Sequence, residues 1–278
     1  MENKFAFTPP SKTFAKNFIK PFKLYFDPQF IGIDELDVSR PALYVTNHSV
    51  MGVLDGYPFA IELYIRKGIV LRTLADRMHF KMPYWRDMIS EKLGIVEASR
   101  ENCEELMRNK ESIIVFPGGA RETFKKKGEE YTLKWNDRTG FVRMAMKHGY
   151  DIIPVAAVGA EEAFTVVKDA NDFFHDNFFG KILEKTGLMD TLLRGGDFVP
   201  PLVKGIGNTI IPRPEKLYFN FGKRISTKKY KEQFEDAAIQ QIMKAKVELE
   251  LLKLLQKSLK IKREHQDTNV IRKFLLKK

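Results

Sequence analysis

An alternation of short apolar runs with helix-length amphipathic stretches constrains this chain more than any other feature. Residues 41–46, 69–75, 112–116 and 151–158 are apolar runs rich in Val, Ile, Leu and Phe. Between them, 55–66, 101–110 and 138–148 repeat apolar residues at helical spacing. Buried parallel strands read as near-continuous apolar runs, and strands alternating with helices of this length form a sheet covered on both faces. The expected fold is α/β: a mostly parallel central sheet flanked by helices, with amphipathic N-terminal and basic C-terminal helices. A helical turn around Tyr84–Glu91 leads to the short run Gly94-Ile95-Val96, and Leu217–Gly222 returns as a late strand. The Gly/Pro-rich stretch 195–214 reads as a long irregular excursion of the kind that lines binding sites. At 278 residues the chain suits one large domain with appendages, or two small domains. It divides as an amphipathic segment over 1–35, a central domain over 36–226 and a basic helical extension over 227–278.

The two ends carry most of the charge. Of the net +11, +9 sits between Lys223 and Lys278 and +3 in the first thirty residues, so the middle is close to neutral. Phe14, Phe18, Phe22 and Tyr25 follow an i, i+4, i+8, i+11 stripe among lysines, with Pro21 expected to kink the helix. That stripe suits either a lipid interface or a core-packed face. From 227 onward Ile239, Ile242, Met243, Val247, Leu251, Leu254, Leu255 and Leu259 fall on one helical face. Basic ends point to an anionic partner, membrane or nucleic acid, or to a merely solvated face. No zinc-finger or RNP-type motif accompanies the charge, so an anionic membrane surface is the expected partner and nucleic acid is not. The N-terminus lacks the apolar core and cleavage site of a signal peptide, and no run approaches the ~20 apolar residues that span a bilayer. The single cysteine, Cys103, excludes a disulfide framework and a cysteine zinc site, and fits cytoplasmic residence. The expected location is therefore peripheral, on the cytoplasmic face of a membrane. His79, His148, His175 and His265 lack ligand spacing, so no metal is expected.

Four segments place polar residues at strand ends, the edge where open α/β sheets bind ligands. Asn47-His48-Ser49 follows the run ending at Val45, with Asp55 seven residues beyond His48. An imidazole suits proton removal near neutral pH, and a carboxylate can hold its tautomer. Gly94…Arg100 ends the short run at Val96, and Phe116-Pro117-Gly118-Gly119-Ala120-Arg121-Glu122 follows the run 112–116. Gly118 and Gly119 let backbone N–H groups approach an anion, while Arg100 and Arg121 offer planar forks for phosphate. The bland alternatives are a tight Pro-Gly-Gly turn and an Arg100–Glu104 ion pair. Ile153-Pro154-Val155 continues to Gly159-Ala160-Glu161-Glu162.

In order and spacing these blocks resemble the glycerolipid acyltransferase superfamily, the PlsC-like enzymes, over roughly residues 40–225. The Phe-Pro-Gly-Gly-x-Arg-Glu block and Lys134–Phe141 look most like its monoacylglycerol/diacylglycerol acyltransferase-like branch. The resemblance implies an O-acyltransferase moving a fatty acyl group from acyl-CoA or acyl carrier protein to the hydroxyl of a glycerolipid or related lipid alcohol. No cofactor beyond that co-substrate is implied. His48 would be the general base and Asp55 its partner, with Arg100, Gly118, Gly119, Arg121 and Glu122 binding substrate. A non-catalytic lipid-binding relative, or a hydrolase of acyl esters or thioesters, are the other readings. Two departures bear on the choice. Six residues separate His48 from Asp55 where the superfamily's usual pattern has four, so either a turn at Val50-Met51-Gly52 bulges to restore the pair or the pair is broken. Gly118 stands where lysophosphatidate-type enzymes carry Glu, which favours a neutral or different acceptor.

Overall fold

A computed structural model describes residues 5–82, 84–169, 172, 199–265 and 270–276. Its centre is a seven-stranded sheet. Five strands run parallel: β2 (Ala42–Thr46), β3 (Leu71–Ala75), β4 (Val96–Glu97), β5 (Ser112–Val115) and β6 (Asp151–Val158). β1 (Gln29–Ile31) and β9 (Tyr218–Phe221) complete it in the order β1-β9-β6-β2-β5-β3-β4, with β9 antiparallel to β6. β7 (Thr165–Lys168) and β8 (Leu202–Lys204) form a separate antiparallel pair. Every residue of β2 and β6 is buried, as expected of interior strands covered on both faces. Pro154 therefore stands in an interior strand.

Alternation along these strands sorts the core into two layers. Leu43, Val45, Ile113, Ile152 and Ala156 face α4 (Arg100–Arg108), α6 (Gly140–His148) and α7 (Ala237–Glu264). Tyr44, Ile114, Ile153, Val155 and Phe219 face α1 (Lys12–Phe26) and α2 (Tyr57–Lys67). Gly68 and Gly149 end α2 and α6 in the left-handed conformation that glycine adopts without strain. Among the described residues no helix is long and apolar enough to cross a membrane.

Several sequence expectations change in detail. α1 continues through Pro21, and its aromatic stripe splits: Ala15, Ile19 and Phe26 are buried, while Phe14 and Phe18 lie in solvent. The buried side follows Ala15, Ile19, Phe22 and Phe26, about 100° round the helix from Phe14. In α7 the core face is Met243, Val247, Leu251 and Leu255, and Ile242, one position off that row, is exposed. The C-terminal region is not one helix from 227. A 3₁₀ turn at Lys228–Gln233 precedes α7, and a separate α8 (Val270–Leu275) follows it. Residues 195–198 of the irregular excursion, and His175, lie outside the described residues.

Burial sets the expected cost of truncation. Leu251→Ala should lower unfolding stability by about 2–5 kcal/mol, whereas Ile242→Ala should change it by less than about 0.5 kcal/mol. Urea unfolding of both variants checks the assignment of the helix face.

Candidate active site

The parallel strands deliver β2, β4, β5 and β6 to one carboxyl edge, and the expected segments leave from it. Asn47 extends β2 by one step. Its amide donates to Ala157 O at 2.9 Å and accepts from Ala157 N at 2.8 Å, copying a strand's backbone pairing to β6. His48 follows, with its side chain 17% exposed.

The structure brings His48 and Asp55 together. The turn Val50–Gly52 holds Met51 at φ 66° and Gly52 at φ 64°, both left-handed. Two such residues in succession reverse the chain and take up the two additional residues. A Cβ on Gly52 would lie 2.7 Å from His48 Cε1 and 2.8 Å from Thr123 Cγ2, so the position needs glycine for space as well as for φ. Asp55 Oδ2 then stands 2.7 Å from His48 Nδ1, and it also accepts from Ser49 N at 2.6 Å and Ser49 Oγ at 2.8 Å. Asp55 is fully buried. Burial alone would raise its carboxyl; the His48 ring and the Ser49 donors outweigh that and hold it below the ordinary range. An ionised acceptor at Nδ1 favours the tautomer with hydrogen there, leaving the Nε2 lone pair available. The ring stacks on Phe116, centroids 3.9 Å apart.

The main chain of His48 is held independently. Its N–H donates to Glu122 Oε2 at 2.6 Å, and its carbonyl accepts from Lys125 Nζ at 2.8 Å. Lys125 pairs at 2.5 Å with Glu161, both side chains 0% exposed, and Glu161 Oε2 accepts from Val50 N. Burial raises the Glu161 and Glu122 carboxyls against the opposing pull of Lys125. Glu122, expected among the substrate contacts, is fully buried, and its other oxygen accepts from Lys134 N at 2.9 Å. It positions His48.

Gly118 and Gly119 adjoin the same carboxylate. A Cβ at Gly118 would fall 2.2 Å from Glu122 Cδ, so Glu122 fills the space a side chain at 118 would need. Arg138 Nη1 donates to the carbonyls of Pro117 and Gly118, both at 2.9 Å. In a trans peptide the N–H points opposite its carbonyl, so Arg138 aims the Gly118 and Gly119 amides away from itself. Gly119 N is taken by Phe116 O at 3.0 Å, whereas Gly118 N has no hydrogen-bond partner among the described residues.

Arg100 opens α4, capped by Ser99, and is exposed without an ion pair among the described residues. Glu104 goes instead to Lys147 at 2.6 Å and Arg108 at 3.5 Å. Arg100 borders an apolar cleft of about 290 Å³ floored by Leu43, Leu74, Cys103, Val115 and Met144. A wider cleft of about 730 Å³ shares Arg100 and Phe141 and reaches Pro117 and Arg138. Burial pushes the Cys103 thiol up to about 12, so it is inert. Arg121 lies half-buried in the four-residue helix α5 (Ala120–Thr123). Among the described residues no group of three His, Cys, Asp or Glu could hold a metal.

Sequence reasoning missed Ser49, Lys125, Glu161 and Arg138 as parts of the site. Ser49, Glu161 and Arg138 lie in stretches singled out in the sequence but without a role given to them; Lys125 carried no signal.

A family model described as diacylglycerol acyltransferase matches residues 12–271, well beyond the 40–225 of the sequence resemblance. Chloroplastic phytyl ester synthase 2 of Arabidopsis thaliana is 32% identical over 248 residues, covering 84% of this chain and 34% of the relative. The Homo sapiens protein named DGAT1/2-independent enzyme synthesizing storage lipids is 29% identical over 133 residues, 48% of this chain and 40% of its own. The crystal structure of the 1-acyl-sn-glycerophosphate (LPA) acyltransferase PlsC from Thermotoga maritima aligns with a TM-score of 0.47 at 15% identity, covering 92% of this chain and 81% of that one. The chain spans about a third of the length of the two phytyl ester synthases it matches.

Two variants test the support beneath His48. Lys125→Met should cost about 3–5 kcal/mol, because it leaves Glu161 buried and uncompensated, and adding Glu161→Gln should restore part of that. For Asp55, whose folded pKa is depressed, stabilisation is present above the unfolded value of about 3.9 and is lost as pH falls through the lower folded value. The stability gap between wild type and Asp55→Asn should be constant near neutrality and shrink in acid, as followed by urea unfolding across pH.

Proposed function

The chain belongs to the diacylglycerol acyltransferase family, and we propose that it moves a fatty acyl group from acyl-CoA or acyl carrier protein to the hydroxyl of a neutral lipid alcohol. One observation carries the reading: His48 Nδ1 at 2.7 Å from a buried Asp55, with Nε2 left as the free face of the ring. The acceptor hydroxyl gives its proton to Nε2 as its oxygen attacks the thioester carbonyl. The tetrahedral intermediate collapses with cleavage of the C–S bond, and the departing thiolate takes the proton back from His48. The ester and the free thiol are the products, and no covalent acyl-enzyme forms. General-base assistance of this kind contributes about 10²–10⁴-fold. Asp55 steadies the ring and offsets its positive charge during the step.

The Gly118 amide, without a partner among the described residues and aimed by Arg138, is the proposed donor to the oxyanion. Arg100, exposed at the rim of the apolar cleft, is the proposed phosphate contact of the donor, with Arg121 as a second. Glu122 crowding Gly118 supports an acceptor without a phosphate, in keeping with relatives named for phytyl esters and storage lipids.

The closed His48–Asp55 pair removes the sequence feature that favoured a non-catalytic lipid binder. Hydrolysis by the same base differs only in using water as the acceptor. Incubation with labelled acyl-CoA and a panel of lipid alcohols separates them: new ester supports transfer, free fatty acid alone supports hydrolysis. His48→Ala should lower ester formation by at least about 10²-fold in a protein that still folds, with a lowered unfolding midpoint because buried Asp55 loses the ring that faces it. A folded His48→Ala protein within a few-fold of wild type would overturn the mechanism.

A further inference from the structure

The carboxyl edge of the sheet holds more than the His48 site. β4 pairs Val96 with Leu74 and Glu97 with Ala75, so its partners are the last two residues of β3. Residues 76–95 therefore leave and return at one height, and stand on the carboxyl edge. Tyr218 of β9 pairs with Val158 at the end of β6, so residues 159 and 217 stand at that edge too. This is also the edge from which His48 and Gly118 emerge.

Residues 77–93 are unusual in what they leave in water. Ile89 is buried, and its carbonyl accepts from Ile95 N at 3.0 Å, which anchors the segment. Tyr84 is 89% exposed, Met78 61% and Met82 51%, and Trp85 and Met88 are exposed beside them. Met51, Val53 and Tyr57 add exposed apolar surface in the connection that carries His48. Large apolar side chains left in water together on one edge mark an interaction site.

We propose that this edge is a lipid-docking face, with Met78, Met82, Tyr84 and Trp85 seated in the apolar boundary of a bilayer beside the mouth of the His48 site. The occupant is lipid because of the chemistry presented. Arg77 pairs with Glu97 at 3.0 Å and Arg86 with Asp87 at 2.9 Å, so the arginines are matched locally and await no acidic protein surface. Exposed Lys81 and Lys92, without ion pairs among the described residues, flank the apolar group at headgroup reach. Trp and Tyr combine an apolar body with one polar group, the combination favoured at a membrane interface. The inference rests on the proposed reaction in one respect: a long-chain acceptor reaches Nε2 from a lipid phase. Docking through this face is apolar first and electrostatic second, and it does not use the basic tail.

The chain's own fluorescence reads the test. It has two tryptophans; Trp135 is fully buried in the core, so only Trp85 reports the edge. Mixing the 278-residue chain with neutral phosphatidylcholine vesicles should blue-shift the emission, with quenching when the lipid chains are brominated, and both should persist at high salt. Met82→Ser/Trp85→Ser, read by vesicle co-sedimentation because it lacks the reporting indole, should weaken partition about tenfold or more by loss of apolar contact, with Lys277→Ala/Lys278→Ala near wild type. Acyl transfer to a vesicle-borne acceptor should fall in parallel, while transfer to a short-chain, water-dispersed acceptor stays at wild-type level. Unchanged Trp85 emission, binding abolished by salt, or capture of a carrier protein in place of vesicles would overturn the docking face. Absence of transfer to either acceptor, with Trp85 insertion intact, would overturn the proposed reaction and leave the face standing.

Discussion

Everything at the carboxyl edge depends on how the main chain at His48 is held. Two buried charged side chains take its N–H and C=O, Glu122 from the β5 exit and Lys125 three residues on. Lys125 is itself fixed by Glu161 from the β6 exit. One backbone position is thereby tied to three strands, because Asn47 binds β6 immediately before it. A buried ion pair adds little net stability against an apolar substitute, but its geometry is demanding. Here that demand falls on the residue whose ring must be placed.

With the backbone fixed, a single carboxylate oxygen sets the ring. Asp55 Oδ2 receives the ring nitrogen, a backbone amide and a hydroxyl, while Oδ1 is buried without a hydrogen-bond partner among the described residues. Concentrating three donors on one oxygen fixes the carboxylate's orientation along with its charge. The Gly118 loop is governed separately: Arg138 takes two carbonyls, and the amide direction follows from peptide planarity.

The sheet was legible in the sequence because buried strands are apolar on both sides, and 41–46, 112–116 and 151–158 could bury no other way. β1 was not legible: Gln29–Ile31 has no pattern of its own and is a strand only because β9 lies beside it. Helix faces were half legible, since Phe14 and Ile242 satisfy helical spacing as well as their buried neighbours do. At the site, His48, Gly118, Arg100 and Asp55 stood out through residue type and order. Lys125 could not, because it is the first of three consecutive lysines and only packing selects the one that is buried. Ser49 was hidden for a different reason. Its hydroxyl acts through Asp55, and that depends on a turn whose two left-handed residues include Met51, a residue type that gives no warning of such a conformation.

The Lys125–Glu161 clamp also has a consequence in time. Its partners come from opposite sides of α6, and Glu161 follows β6, so the clamp needs the β6–β2 register in place before it closes. Contacts of such sequence separation form late because loop closure precedes their reward. A chain that has laid down β2 through β5 holds His48 in sequence but not in position. Competence of the site thus waits for β6 to join the sheet, and chains short of that stage carry a ring without the geometry to direct it.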